Sequence, residues 1–181
     1  LLGRIALLQK GEGGDPNLRK RAIELYDELR AALHGYLSCL GLEPQEAEDI
    51  IQETFLKLFQ GLAGGLRDDN LRGWVFRVAH NLTINLHKST SKLLSSEAEE
   101  VARVLQCRID ARLNPEEAVL KKEQFALLVS AVCRLTSQQR QCLHLRAEGL
   151  RYREIAVVLG VSTQRVAEVV QAALTQLAGE L

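Results

Sequence analysis

The sequence predicts an all-α fold: two small helical domains joined by a linker, the second a helix-turn-helix. Three observations point to it. Apolar residues recur at spacings of three and four along most of the chain, which is the period of one helix face. Aromatic residues make up only 4% of the chain and β-branched runs are short, which disfavours strands. Pro16, Pro44 and Pro115 each stand where a helix can begin, a position at which a missing N–H costs nothing. At 181 residues and 46% hydrophobic, the chain can bury a substantial core and fits one medium domain or two small ones. No run of about 18 apolar residues predicts a membrane span, and no signal-peptide pattern is visible, so an intracellular protein without membrane insertion is expected.

Residues 1–15 are apolar and then glycine-rich, and read as a terminal tail. Asp15-Pro16 starts the first helix, a capping side chain followed by proline, and Gly41 ends it. Leu18, Ala22, Leu25, Leu29, Ala32, Leu33, Tyr36 and Leu37 form its apolar stripe. Pro44 opens a second helix with Ala47, Ile50, Ile51, Thr54, Phe55, Leu58 and Phe59 inward. Its opposite face carries Asp49, Gln52, Glu53 and Lys57. The helix dipole accounts for the acids of the first turn, Glu46 and Glu48, but less well for Asp49 and Glu53. Residues 61–70, which include Arg67, are a loop by composition.

Asn70 can cap a third helix with an apolar face of Leu71, Trp74, Val75, Val78, Leu82 and Leu86. Its other face reads Arg72, Arg77, His80, Asn81, Asn85 and Lys88. From Leu71 to Lys92 there is no acidic residue, in a chain whose formal net charge is zero. An ordinary solvated face would mix signs, so this is the clearest basic, amide-rich surface in the chain. A nucleic-acid binder is usually basic overall; here any such binding has to come from local patches.

These elements place a first domain at 16–89. Residues 90–113 read as a linker, with Ser96 and Glu99 spaced as a capping box for a short helix. Asn114-Pro115-Glu116-Glu117 begins the second domain, 114–181, with a helix to about Arg134. Thr136 and Gln139 form another capping box, for a helix ending near Glu148-Gly149. Tyr152 to Leu159, Gly160 and Ser162 then give helix, left-handed turn and cap, the pattern of a helix-turn-helix. The last helix shows Val166, Val169, Val170, Ala173, Leu174 and Leu177 at helical spacing.

Cys39, Cys107, Cys133 and Cys142 form no C-x-x-C pair, and the four histidines do not fall at ligand spacing around them. Buried thiols in a reducing compartment are expected, with no metal. No Ser/His/Asp set or phosphate-binding glycine loop has usable spacing, so no enzyme is expected.

Taken together, EAEDIIQETFLKLF, GWVFRVAHNLTINLHK and LTSQQRQCLHLRAEGLRYREIAVVLGVS resemble an extracytoplasmic-function (ECF) sigma factor of bacterial RNA polymerase, in the right order and at the right spacings. The resemblance implies a two-domain initiation factor that needs no cofactor and acts in the cytoplasm, at the nucleoid when bound to polymerase. Its first domain would bind the polymerase clamp through Asp49, Gln52, Glu53 and Lys57. It would melt the −10 promoter element through Arg67, Arg72, Arg77, His80, Asn81, Asn85 and Lys88. The second domain, near the polymerase flap, would read the −35 element through Ser162, Thr163, Gln164 and Arg165, with Arg151 and Arg153 on phosphates. An anti-sigma protein is a further implied partner.

The final helix departs from the pattern. Related proteins usually place several basic residues there, near Ala167, Val169, Ala172 and Leu174, yet this chain has none after Arg165, and Glu168 adds an acid. Affinity for DNA rests largely on phosphate neutralisation, so the −35 contact is expected to be weak. The wide apolar arc made by Val169 and Val170 suggests an alternative, a sigma-like interaction module that binds polymerase or a regulator without reading promoters itself.

Overall fold

The computed structural model describes residues 16–66, 70–90 and 128–179. Within them lie seven helical segments and no strand. The six complete helices are α1 Pro16–Cys39, α2 Pro44–Ala63, α3 Leu71–Thr90, α4 Ser137–Ala147, α5 Tyr152–Leu159 and α6 Thr163–Ala178. Residues 128–134, before α4, are also helical. The expected capping box at Ser96 and the helix start at Asn114-Pro115 lie outside the described residues, as do the linker, Arg67 and Cys107. No single helix among the described residues is long and apolar enough to cross a membrane.

Local chemistry sets the helix ends. The Glu43 backbone N–H donates to Glu46 Oε2 at 3.0 Å, directly before Pro44. Asn70 Oδ1 accepts from the Gly73 N–H at 3.0 Å, which caps α3 as expected. A Cβ at Gly73 would stand 2.5 Å from Asn70 Nδ2, so any larger residue there would displace the capping side chain. Thr136 and Gln139 cap each other at the start of α4, at 3.3 and 2.8 Å. Gly160 has φ 66°, the left-handed turn between α5 and α6, and Ser162 Oγ accepts from the Arg165 N–H at 3.1 Å to begin α6.

Helices α1, α2 and α3 pack around Leu29, Leu33, Tyr36, Leu37, Ile51, Phe55, Leu58 and Phe76, all fully or almost fully buried. Tyr26 meets Phe55 edge-on at 5.0 Å, and Tyr36 meets Phe76 likewise at 5.6 Å. Helices α4, α5 and α6 close around Leu145, Leu150, Ile155, Val166 and Val170. The two halves also pack on each other, α1 against α4 and α3 against α5, so one apolar core runs through both.

Two expectations about helix faces are corrected. In α3 the buried stripe is Leu71, Val75, Phe76, Ala79, His80, Thr83 and His87, while Trp74, Val78, Leu82 and Leu86 are only half-buried. The helix is rotated from the expected arc, so that Phe76, Ala79 and Thr83 are wholly buried. The Thr83 hydroxyl is satisfied locally, donating to Ala79 O at 2.9 Å. In α6, Val169 and Val170 are both core, whereas Leu174 is 49% exposed. The wide apolar arc is therefore used inside the fold.

Candidate functional site

The basic face of α3 forms as a surface, with changes. Arg77, Asn81, Asn85 and Lys88 are exposed along it. His80 is not: it is 9% exposed, and its Nδ1 shares a hydrogen bond of 2.9 Å with Tyr36 Oη. Burial lowers its pKa below the ordinary 6.5, so it sits as a neutral core imidazole and cannot meet DNA. The phenol of Tyr36, wholly enclosed, has its pKa pushed well above the ordinary value by desolvation.

Arg72 is half-buried and already engaged. Its Nη2 lies 2.5 Å from Glu28 Oε1 on α1, and its Nη1 donates to the Glu148 carbonyl at 2.7 Å, with the Glu148 carboxylate at 3.8 Å. Glu148 lies 76 residues away in the chain, at the end of α4. Sequence reasoning missed both partners: the packing of α1 on α3 brings Glu28 to Arg72, and the docking of the halves brings Glu148.

That docking forms a cleft of about 620 Å³ between the start of α3 and the start of α5. Arg72, Arg77 and Trp74 line one side, Arg151, Arg153 and Val157 the other. Two sets of arginines expected to contact different promoter elements thus face each other. Both helix N-termini also open into this space, which adds partial positive charge.

On α2, Asp49, Glu53 and Lys57 are exposed and Gln52 half-buried, so the expected acidic face is presented outward. Lys57 Nζ lies 3.2 Å from Glu53 Oε1, an exposed pair one turn apart that is worth little in stability. Its first effect is to leave Asp49 as the more open negative charge on that face.

In the helix-turn-helix, Arg151, Arg153, Ser162, Thr163, Gln164 and Arg165 are all exposed. Their side chains are partly committed. Ser162 spends its hydroxyl oxygen on the cap. Gln164 Nε2 donates to Glu168 Oε1 at 3.0 Å. Arg165 Nη2 donates to Gln138 Oε1 at 3.1 Å, and its Nη1 lies 3.8 Å from Glu168 Oε2. Gln138 is a neighbour that sequence reasoning missed, 27 residues away with no local signal. Glu168 thus draws on both polar side chains best placed to reach base edges.

Three of the four thiols lie among the described residues. Cys39 and Cys142 are buried, and desolvation pushes each thiol to a pKa of about 11. Cys133 is half-buried. No group of three or more His, Cys, Asp or Glu among the described residues could hold a metal ion.

Comparison with known proteins places the chain in a family. The Sigma-70 region 2 family model matches residues 25–93, and the Sigma-70 region 4 model matches residues 125–177. The RNA polymerase sigma factor YlaC of Bacillus subtilis is 28% identical over 144 residues, covering 79% of this chain and 82% of that protein. The ECF RNA polymerase sigma factor BldN of Streptomyces coelicolor is 28% identical over 156 residues, 85% of this chain and 56% of that one. In fold, the chain is similar to the sigma factor RpoE of Bartonella quintana, solved with the anti-sigma factor NepR, with a TM-score of 0.58 at 18% identity over 88% of this chain and 94% of that one. It is similar also to CnrH, solved with the cytosolic domain of CnrY, with a TM-score of 0.56 at 20% identity over 89% and 87%. The chain belongs to the ECF sigma factors, transcription regulators that direct RNA polymerase to promoters.

Proposed function

We propose that the chain opens and reads promoters with two surfaces of unequal strength. Residues 16–89 act as the domain that holds polymerase and the −10 element, and residues 114–181 as the domain that meets the −35 element. Residues 90–113 link them and 1–15 form a tail. Asp49, Gln52, Glu53 and Lys57 dock on the polymerase clamp, where an outward acidic face finds a basic partner. Arg77, Asn81, Asn85 and Lys88 hold the displaced strand, and Arg67 and Arg72 are assigned to the same role. Holding a single strand needs phosphate neutralisation together with planar or polar groups for the bases, and this face supplies arginines and amides.

The −35 contact is the weaker one. Arg151 and Arg153 address phosphates; Thr163, Gln164 and Arg165 address base edges, while Ser162 serves chiefly as cap. With one basic residue on α6, initiation rests mostly on the −10 contact and on polymerase, whose flap brings the second domain to DNA. One solved neighbour is bound to an anti-sigma factor, which supports a regulator of that kind here. The chain works in the cytoplasm, and on the nucleoid once bound to polymerase.

The observation that carries this reading is the one-sign exposed face of α3, free of acids from Leu71 to Thr90. Replacing Arg77 and Lys88 together by glutamate tests it. Holoenzyme made with the double variant should show promoter opening, read by permanganate attack on unpaired thymines, reduced by about tenfold or more. Its co-purification with core polymerase should be unchanged. Opening equal to the parent's would overturn the assignment.

A further inference from the structure

The cleft between the start of α3 and the start of α5 gathers positive charge in a chain whose formal net charge is zero. Four arginines, Arg72, Arg77, Arg151 and Arg153, line this one space of about 620 Å³. Among the described residues the one carboxylate lining it is that of Glu154. Glu154 Oε2 accepts from the Arg151 backbone N–H at 2.6 Å, so part of its charge is spent on the start of α5. Arg72 is held by Glu28 and Glu148. Arg77, Arg151 and Arg153 are exposed, and no carboxylate among the described residues pairs with their side chains. Like charges around one space repel each other, and a bound anion relieves this.

The same cleft has a planar, apolar part. Trp74 stands half-buried in its wall, and Val157 beside it is exposed. Arginine forks match phosphate oxygens, and an indole face stacks on any base. Sites for small molecules run from about 300 to about 1,000 Å³, so the space suits a mononucleotide. We propose that this cleft binds a nucleoside polyphosphate, with its phosphate chain on Arg77, Arg151 and Arg153 and its base on Trp74. Arg77 stands on the α3 side and Arg151 and Arg153 on the α5 side, so a chain of phosphates meets both walls where a single phosphate meets one. This goes beyond the promoter assignments: it gives the same arginines a small-molecule ligand in the chain free of DNA and polymerase.

Trp74 is the one tryptophan of the chain, so its emission reports on the cleft directly. The full-length chain is titrated with ATP, GTP, AMP and inorganic tripolyphosphate at about 50 mM salt, where screening is weak. ATP or GTP should change the emission and saturate with a Kd of about 0.1 mM or lower. AMP and tripolyphosphate should each bind about tenfold more weakly, the first for want of phosphates and the second for want of a base. No saturable change with either triphosphate, and no heat of binding in calorimetry, would overturn the site. Tripolyphosphate binding as tightly as ATP would overturn the place given to Trp74.

Two variants locate the ligand. Val157 is 56% exposed, so replacing it leaves the core intact, and it belongs to neither proposed promoter surface. Val157→Glu sets a second carboxylate in the cleft and should weaken ATP binding by about tenfold or more. Val157→Gln, of the same size without the charge, should bind ATP as the parent does. Equal binding by all three chains would put the nucleotide elsewhere and sink the assignment. A short single-stranded oligonucleotide completes the set. A chain that binds the strand but neither triphosphate would keep its promoter surface and lose the nucleotide site, so the two ideas fail separately.

Discussion

At the scale of single residues, His80 shows how a promising polar side chain is absorbed by a core. It follows Arg77 and precedes Asn81 on a helix without acids, and the sequence pattern places it with them. Rotation of α3 turns it inward instead, onto Tyr36. Charge pattern was legible; the inward turn was not, because it depends on Tyr36, 44 residues away in the chain. The burial has a pH consequence. The unfolded chain binds the His80 proton near the ordinary 6.5, whereas the folded chain holds out to a lower value. Stability from this site is therefore complete above about pH 6.5 and is lost as pH falls toward the lowered folded value. Thermal melts at about pH 7.5 and about pH 5 should show a smaller acid loss for His80→Asn than for the parent. An equal loss in both would show that the imidazole titrates freely in the fold.

At the scale of elements, caps and turns were the most legible features. Asn70, Thr136 with Gln139, Gly160 and Ser162 all act where the sequence places them, because each works through backbone groups within four residues. Helix faces were less legible where two apolar arcs compete, as Trp74, Leu82 and Leu86 compete with Phe76 and Ala79 in α3. The same competition in α6 resolves toward the interior, since Val169 is buried, and this removes the surface that an interaction module would have offered. Gly160 gives the sharpest test of an element. A Cβ added there would meet nothing within 4 Å, so the cost of Gly160→Ala is backbone strain alone at φ 66°. That strain is about 1–2 kcal/mol. For a chain of this size about 1 kcal/mol lowers the melting temperature by about 2–4 °C. Calorimetry should find a fall of that order, while an unchanged melting temperature would mean the turn relaxes into another geometry.

At the scale of the whole molecule, the sequence made the two helical halves legible but not their docking, because Arg72 and Glu148 have no local pattern in common. What the halves offer to DNA differs in kind. The first presents Arg77 and Lys88 with two amides on an acid-free face; the second presents Arg151, Arg153 and Arg165, the last shared with Gln138 and Glu168. Phosphate contacts release counterions, so the salt dependence of binding counts them. Three contacts on a duplex carrying only the −35 element give a slope of roughly −2.7 in log affinity against log salt, or about a 40-fold loss between about 50 and about 200 mM. Fluorescence anisotropy with the full chain should return a slope near that value, and Arg165→Ala should make it shallower by about one contact. A slope twice as steep would require cations that α5 and α6 do not possess, and would move the −35 contact to another part of the chain. A slope near zero would mean that the second domain meets DNA only when polymerase brings it there, leaving the −10 surface to supply most of the electrostatic attraction.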